Sequence, residues 1–316
     1  MKNNKSLGQH WLKNRAILDE IAALASAKPT NSDSANAEAV NSNSSRTKYE
    51  THDKSTGANR VVNEICLEIG PGLGTLTSSL LRKFSQVIAV EYDADLARKL
   101  PGQFPGKNLQ IVHADILKTD INQLISGAGD VPNDKSRTGF VASSLRSEHS
   151  TQSNQSFVIV GNIPYYITSP IVRQVLTLPQ PPRRVVLLMQ KEVAERIAAE
   201  PGKHSLLSLF AQNLAAVELG PVVRGAEFTP PPKVDSQILI LDPYSEPQIN
   251  PAILQLAKRG FSSPRKKLAH NLANQQLSKG AWQELLLQNS INPNARAEDL
   301  DLWDWENLYQ ATNLTD

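Results

Sequence analysis

A single cysteine, Cys66, stands in the 316 residues, so no internal disulfide can staple the fold. Its place in an apolar, β-rich run marks it as a packed core thiol rather than a nucleophile. Long hydrophobic runs are missing too. The longest, near Val185 to Met189, is far too short to span a bilayer. No signal-like segment opens the chain, because Asp19 and Glu20 interrupt the apolar stretch from Ile17 to Leu24. A cytoplasmic protein is the expectation. Charge of either sign is nearly balanced, at a net +2, which is too little to announce nucleic-acid binding by itself. No internal repeat is visible, and no grouping of His, Cys and acidic residues has metal-ligand spacing, so no metal centre is expected.

The charge that is present is clustered. Lys258, Arg259, Arg265, Lys266 and Lys267 crowd around Phe261, and Arg183-Arg184 precede a strand. Such clusters are usually solvated faces, whereas in an RNA-modifying enzyme they are the expected phosphate contacts. At this length the chain has room for a core domain and a smaller satellite. Asn14 to Lys28 carries apolar residues at Ile17, Leu18, Ile21, Leu24 and Ala25, the spacing of an amphipathic helix. Pro29 to Asn59 is rich in Ser, Asn, Thr and charge, and Ser126 to Ser156 is similar. Neither can bury enough surface to offset its ordering entropy, so residues 29–59 and 126–156 are expected to be disordered inserts. From Ser169 to Leu241 helices and strands alternate, ending in an antiparallel pair, Val217 to Val223 and Gln237 to Leu241. Beyond Pro243 the pattern is helical, at Ala252 to Phe261, Lys267 to Gln276, Ala281 to Leu287 and Leu302 to Thr312. The predicted organisation is a domain over 1–242 and a small all-helical domain over 243–316.

Glycines Gly70, Gly72 and Gly74 follow the run Val61 to Ile69 and precede the helical pattern Thr75 to Phe84. They therefore fall on a strand-to-helix turn, a position that cradles ligands. The third glycine comes one residue too early for a dinucleotide fingerprint, which weakens a nicotinamide reading. The next strand, Val87 to Val90, ends in Glu91, about twenty residues on, where a carboxylate can take both hydroxyls of a ribose. A third strand, Leu109 to His113, leads to Ala114-Asp115, a second carboxylate placed to accept from an adenine amine. Singly, each acid reads as well as a helix cap. Together, at successive strand ends, they mark the ligand edge of an open α/β sheet.

The strand Phe157 to Val160 runs into Asn162-Ile163-Pro164-Tyr165, a pattern suited to methylating an amine. An exocyclic adenine amine is a poor nucleophile, and placing it demands two acceptors aimed at its hydrogens. Asn162 offers a side-chain oxygen and Ile163 a carbonyl, while Pro164 restrains the backbone around that carbonyl. Tyr165 offers a flat face.

On these residues the chain resembles the ribosomal RNA adenine dimethyltransferases of the KsgA (RsmA) type. The resemblance runs through Leu7 to Leu12, Glu68 to Gly74, Glu91, Ala114-Asp115, Asn162 to Tyr165, Met189 to Arg196 and Phe228 to Ser236, and covers nearly the whole chain except the two inserts. It implies a Rossmann-like class I methyltransferase fold with a seven-stranded, mostly parallel sheet. It also implies S-adenosylmethionine as methyl donor, contacted by His10, Leu12, Gly70, Glu91, Asp115 and Asn162. The target adenine would lie between Tyr165 and Phe228, and the substrate would be two adjacent adenines near the 3′ end of 16S ribosomal RNA, in precursors of the small ribosomal subunit, acted on by a monomer. A large-subunit adenine methylase and a catalytically inactive nucleic-acid-binding relative share parts of the pattern. His10 stands where many members have Asn, and Tyr166 where many have Asn.

Overall fold

The computed structural model of the protein describes residues 10–29, 62–128, 140–141, 155–274 and 276–313. The first elements among the described residues are β1 (Trp11–Leu12) and α1 (Arg15–Ser26). The chain continues through β2 (Val62–Ile69), α2 (Thr75–Leu80), β3 (Phe84–Glu91), α3 (Ala94–Lys99), β4 (Leu109–His113), α4 (Ile121–Ala128) and β5 (Phe140–Val141). Then come β6 (Phe157–Asn162), α5 (Thr168–Leu176), β7 (Arg184–Gln190), α6 (Lys191–Ile197), α7 (Leu206–Leu214) and β8 (Ala215–Val223). The last elements are β9 (Phe228–Thr229), β10 (Ser236–Pro243), α8 (Ile253–Gly260), α9 (Leu268–Leu272), α10 (Lys279–Gln288) and α11 (Leu302–Asn313).

One sheet runs in the order β5-β4-β3-β2-β6-β7-β10-β8. Strands β2 to β7 pair in parallel, and β10 is antiparallel to both β7 and β8. Because β3 and β4 lie on one side of β2 while β6 and β7 lie on the other, connections leave the β2/β6 pair in opposite directions. That divergence opens a crevice at the carboxyl ends of these strands. The strands read as continuous apolar runs because both faces are covered. Ile65, Leu67, Phe157 and Ile159 pack into one core layer, and Cys66, Val158 and Val160 into the other, which α1 covers with Leu18, Ile21 and Ala22. Cys66 is fully buried, and burial pushes its thiol well above the ordinary range, as a packed core thiol requires. A third core, built on Ile253, Leu268, Leu272, Trp282 and Trp305, holds α8 to α11 together and takes in Leu209 of α7.

Two expectations are corrected here. The stretch 126–156 is not disordered throughout: α4 runs to Ala128, and Phe140–Val141 adds a short eighth strand beside β4. A Phe-Val pair in a polar stretch carries the local β-propensity for that edge. Residues 30–59, 129–139 and 142–154 lie outside the described residues, as do Leu7 to Gln9. The Arg183-Arg184 pair is structural rather than a phosphate contact. Arg184 is buried and forks onto Asp242 with two bonds of 2.6 Å, and Arg183 holds Glu64 at 2.8 and 2.9 Å. Lys258, Arg259, Arg265, Lys266 and Lys267, in contrast, remain exposed around Phe261.

Candidate active site

The crevice between β2 and β6 contains a cavity of about 310 Å³. Its walls come from the ends of β2, β3, β4 and β6 and from the opening segment. It gathers His10, Gly70, Glu91, Asp115, Asn162, Ile163, Pro164 and Tyr165.

On the donor side, the turn after β2 is shaped by glycine. The Gly70 amide donates to the Val90 carbonyl at 2.9 Å, and the Gly72 amide to Glu91 Oε2 at 2.9 Å. Gly72 has φ +58°, and a Cβ there would stand 3.2 Å from the Trp11 indole nitrogen. Gly74, the residue that breaks the dinucleotide spacing, has a packing role: a Cβ on it would lie 2.6 Å from a Leu100 methyl group. Glu91 is buried, and its second oxygen accepts from the Asp93 amide at 2.8 Å. Burial lifts its pKa above the ordinary 4.5, opposed by the amides of Asp93 and Gly72 and, more weakly, of Tyr92. Each carboxylate oxygen keeps acceptor capacity beyond its single amide bond. Asp115 does two jobs. Its Oδ1 caps the turn Ile116–Lys118 through the Leu117 amide at 3.1 Å, while the residue also lines the cavity.

On the target side, Asn162 ends β6, and its Nδ2 donates to the main-chain carbonyl of His10 at 3.0 Å. That bond occupies the donor end of the amide and leaves Oδ1 as its acceptor. The Ile163 amide donates to the Leu188 carbonyl at 2.9 Å and its side chain is buried, which fixes the backbone entering Pro164. The Tyr165 hydroxyl lies 3.2 Å from Ser236 Oγ. Tyr166 is 64% exposed at the cavity mouth.

The side chains of Leu12 and Phe228 are turned away from the cavity. They sit opposite one another in the antiparallel β1/β9 pair, are 1% and 3% exposed, and belong to the core layer under α1. Neither lines the cavity. The reason is that successive residues of a strand face opposite ways, so Trp11 faces Gly72 and Leu12 faces the core. The ring beside Tyr165 is that of His10, with centroids 6.0 Å apart and planes inclined by 21°. Trp11, Tyr92, Ile116 and Leu117 also line the cavity and were not singled out from sequence. Tyr92 and Ile116 directly follow Glu91 and Asp115, so position next to a strand-end acid was the available signal.

The family model described as ribosomal RNA adenine dimethylase matches residues 1–313. Among curated proteins, ribosomal RNA small subunit methyltransferase A of Dehalococcoides mccartyi (strain CBDB1) is 33% identical over 98% of this chain and 88% of its own length. The protein of the same name from Synechococcus elongatus is 35% identical over 100% of this chain and 96% of its own. Among solved structures, the 23S rRNA methyltransferase ErmE is 23% identical with a TM-score of 0.64, covering 96% of this chain and 99% of that one. A dimethyladenosine transferase from Plasmodium falciparum is 23% identical with a TM-score of 0.63, covering 96% and 98%. These two structures share the fold.

Proposed function

The chain belongs to the ribosomal RNA adenine dimethylase family, and we propose from that premise that it dimethylates the exocyclic amines of two adjacent adenines near the 3′ end of 16S ribosomal RNA. The observation that carries this reading is Asn162, held by His10 at the strand-end crevice with its oxygen left to accept. The methyl donor is S-adenosylmethionine, which supplies an electrophilic methyl group when bound. The site suits it: Glu91 has acceptor capacity for ribose hydroxyls, Asp115 for an adenine amine, and the turn at Gly70 and Gly72 leaves backbone close to the ligand. These residues and Asn162 bind the donor, with the main chain at His10 closing over it.

The target base is extruded from its RNA context. Asn162 Oδ1 and the Ile163 carbonyl accept the two amine hydrogens, and the lone pair is thereby turned toward the methyl group. No strong base is required, because the nitrogen gives up a proton readily once it carries positive charge. Catalysis comes from placement and oriented dipoles. The helical segment 243–316, with its exposed Lys258, Arg259, Arg265, Lys266 and Lys267, serves as the RNA-binding domain. The substrate is a precursor of the small ribosomal subunit, met by a monomer in the cytoplasm. No helix among the described residues is long and apolar enough to cross a membrane. Mass spectrometry of small-subunit RNA from cells lacking this protein tests the reading. The dimethylated adenines should disappear, and their persistence would refute it.

A further inference from the structure

We propose that a second cavity, at the far end of the sheet, is a docking site for an arginine side chain carried by a protein partner. The cavity measures about 460 Å³ and lies where the sheet meets the helical segment. Ala215 of β8 lines it, and Ala215 pairs with Pro243 at the end of β10 that lies beside the start of β7. That is the amino end of the parallel strands, opposite the crevice that holds Asn162, so a partner seated there leaves the crevice open. Asp301 and Trp303 close the cavity from the head of α11. Its two walls are joined by the amides of Gly202 and His204, which donate to the Glu298 carbonyl at 2.9 and 3.2 Å.

The walls present acceptors and negative charge. His204 is 5% exposed, yet its ring lines the cavity. The Ser208 hydroxyl gives its hydrogen to the Ser205 carbonyl at 2.8 Å, so the 3.2 Å contact between Ser208 Oγ and His204 is donated by Nδ1. Burial pulls the imidazole pKa down, opposed by Asp301, and favours the neutral ring. Nε2 is left with a lone pair and no partner among the described residues. Gln212 uses both amide hydrogens on the Ile197 and Ala199 carbonyls, at 3.1 and 2.8 Å, which leaves its oxygen to accept. Asp301 Oδ1 caps α11 through the Asp304 amide at 2.8 Å, and Oδ2 remains for a ligand. Glu200 adds a second carboxylate, and among the described residues no lysine or arginine side chain lines the cavity. Trp303, 57% exposed, supplies a flat face. A guanidinium answers each feature, because it is planar, rich in N–H donors, permanently charged and able to stack on an indole. An ammonium has no plane to stack. Free arginine would bring its own carboxylate up to Glu200 and Asp301, so a residue within a chain is the better occupant.

The test is NMR of the intact protein, following the indole N–H signals during titration with N-acetyl-arginine amide, and separately with its neutral citrulline analogue, its lysine analogue and free arginine. Trp303→Phe identifies the Trp303 signal. The expected result is a saturable shift of that signal with a midpoint in the low millimolar range, while the signal of Trp11 at the crevice stays still. The citrulline and lysine analogues and free arginine should each bind at least about five-fold more weakly. Asp301→Asn keeps a side chain that caps a helix, and it should weaken the arginine amide roughly five-fold with the circular dichroism of the wild type. No Trp303 shift up to about 50 mM, or a midpoint that Asp301→Asn leaves unchanged, would overturn the proposal. Equal binding of the citrulline analogue would remove the cation, equal binding of the lysine analogue the guanidinium, and equal binding of free arginine the protein partner. Each of these overturns the assignment as stated.

Discussion

Glu68 should make the stability of this fold fall as the solution becomes more alkaline. It stands in β2, two residues before the glycine turn, 1% exposed, with neither carboxylate oxygen in a hydrogen bond of good geometry. Burial raises its pKa from the ordinary 4.5 to about 8; the neighbouring Glu91 adds to the rise, and Thr77 on α2 holds it back in part. The hydroxyl and amide of Thr77 oppose the rise only in part, and the desolvation of a fully buried carboxyl outweighs them. Below pH 4.5 the group is protonated folded and unfolded alike, and the associated stability is fully present. Between 4.5 and about 8 only the unfolded chain releases the proton, so stability is lost as pH rises through that window. At about 1.36 kcal/mol per pH unit the total loss is on the order of 5 kcal/mol, complete above pH 8. Glu68→Gln is close in size and uncharged at every pH. Urea unfolding of both proteins at several pH values between roughly 5 and 9 should show the variant gaining on wild type by several kcal/mol across the range. Parallel stability curves for the two proteins would refute the reasoning.

Other consequences follow from single contacts. Asn162→Ala should cut methyl transfer to small-subunit RNA by at least about a hundred-fold, read by radiolabel, since a preorganised acceptor is removed. Its fold and most of its donor affinity should survive, because the lost bond to His10 is worth only about 1 kcal/mol. Asp242→Ala should cost roughly 3–5 kcal/mol in urea unfolding, because it strands the buried Arg184 guanidinium. Phe228→Ala should lower stability by about 3–5 kcal/mol as a core truncation. A Phe228→Ala protein of wild-type stability would mean that the ring is not packed in the core.

Much of the fold was legible because strands covered on both faces are written as unbroken apolar runs. β7 begins and ends within a residue of the run that signals it, β6 begins at its run and extends two residues past it, and α1 follows its apolar spacing. Where reading failed, side chains acted at a distance or against the local pattern. Lys267 to Gln276 has helical spacing, yet α9 stops at Leu272. Asn274 accepts from the Gln276 and Leu277 amides at 3.0 and 2.7 Å, and an Asx turn of that kind replaces helical bonds. Arg183 and Arg184 read as free basic residues because Glu64 and Asp242, which neutralise them, lie far away in the chain.

The candidate site was legible to the level of strand ends and no finer. An acid or amide that closes a parallel strand must lie near the crevice, so Glu91, Asp115 and Asn162 could be placed from order alone. Which of two neighbouring residues in a short strand turns toward that crevice is a one-residue choice. Trp11 and Leu12 exchange roles if the β1/β9 ladder slips by one, and Phe228 and Thr229 exchange with them. The ladder that settles the choice joins segments more than two hundred residues apart, and its anchors include Lys13 on Glu227 at 3.1 Å and Asn14 on Glu227 at 2.9 Å. Once Leu12 and Phe228 turn inward together, the flat surface left beside Tyr165 is the residue that precedes the strand.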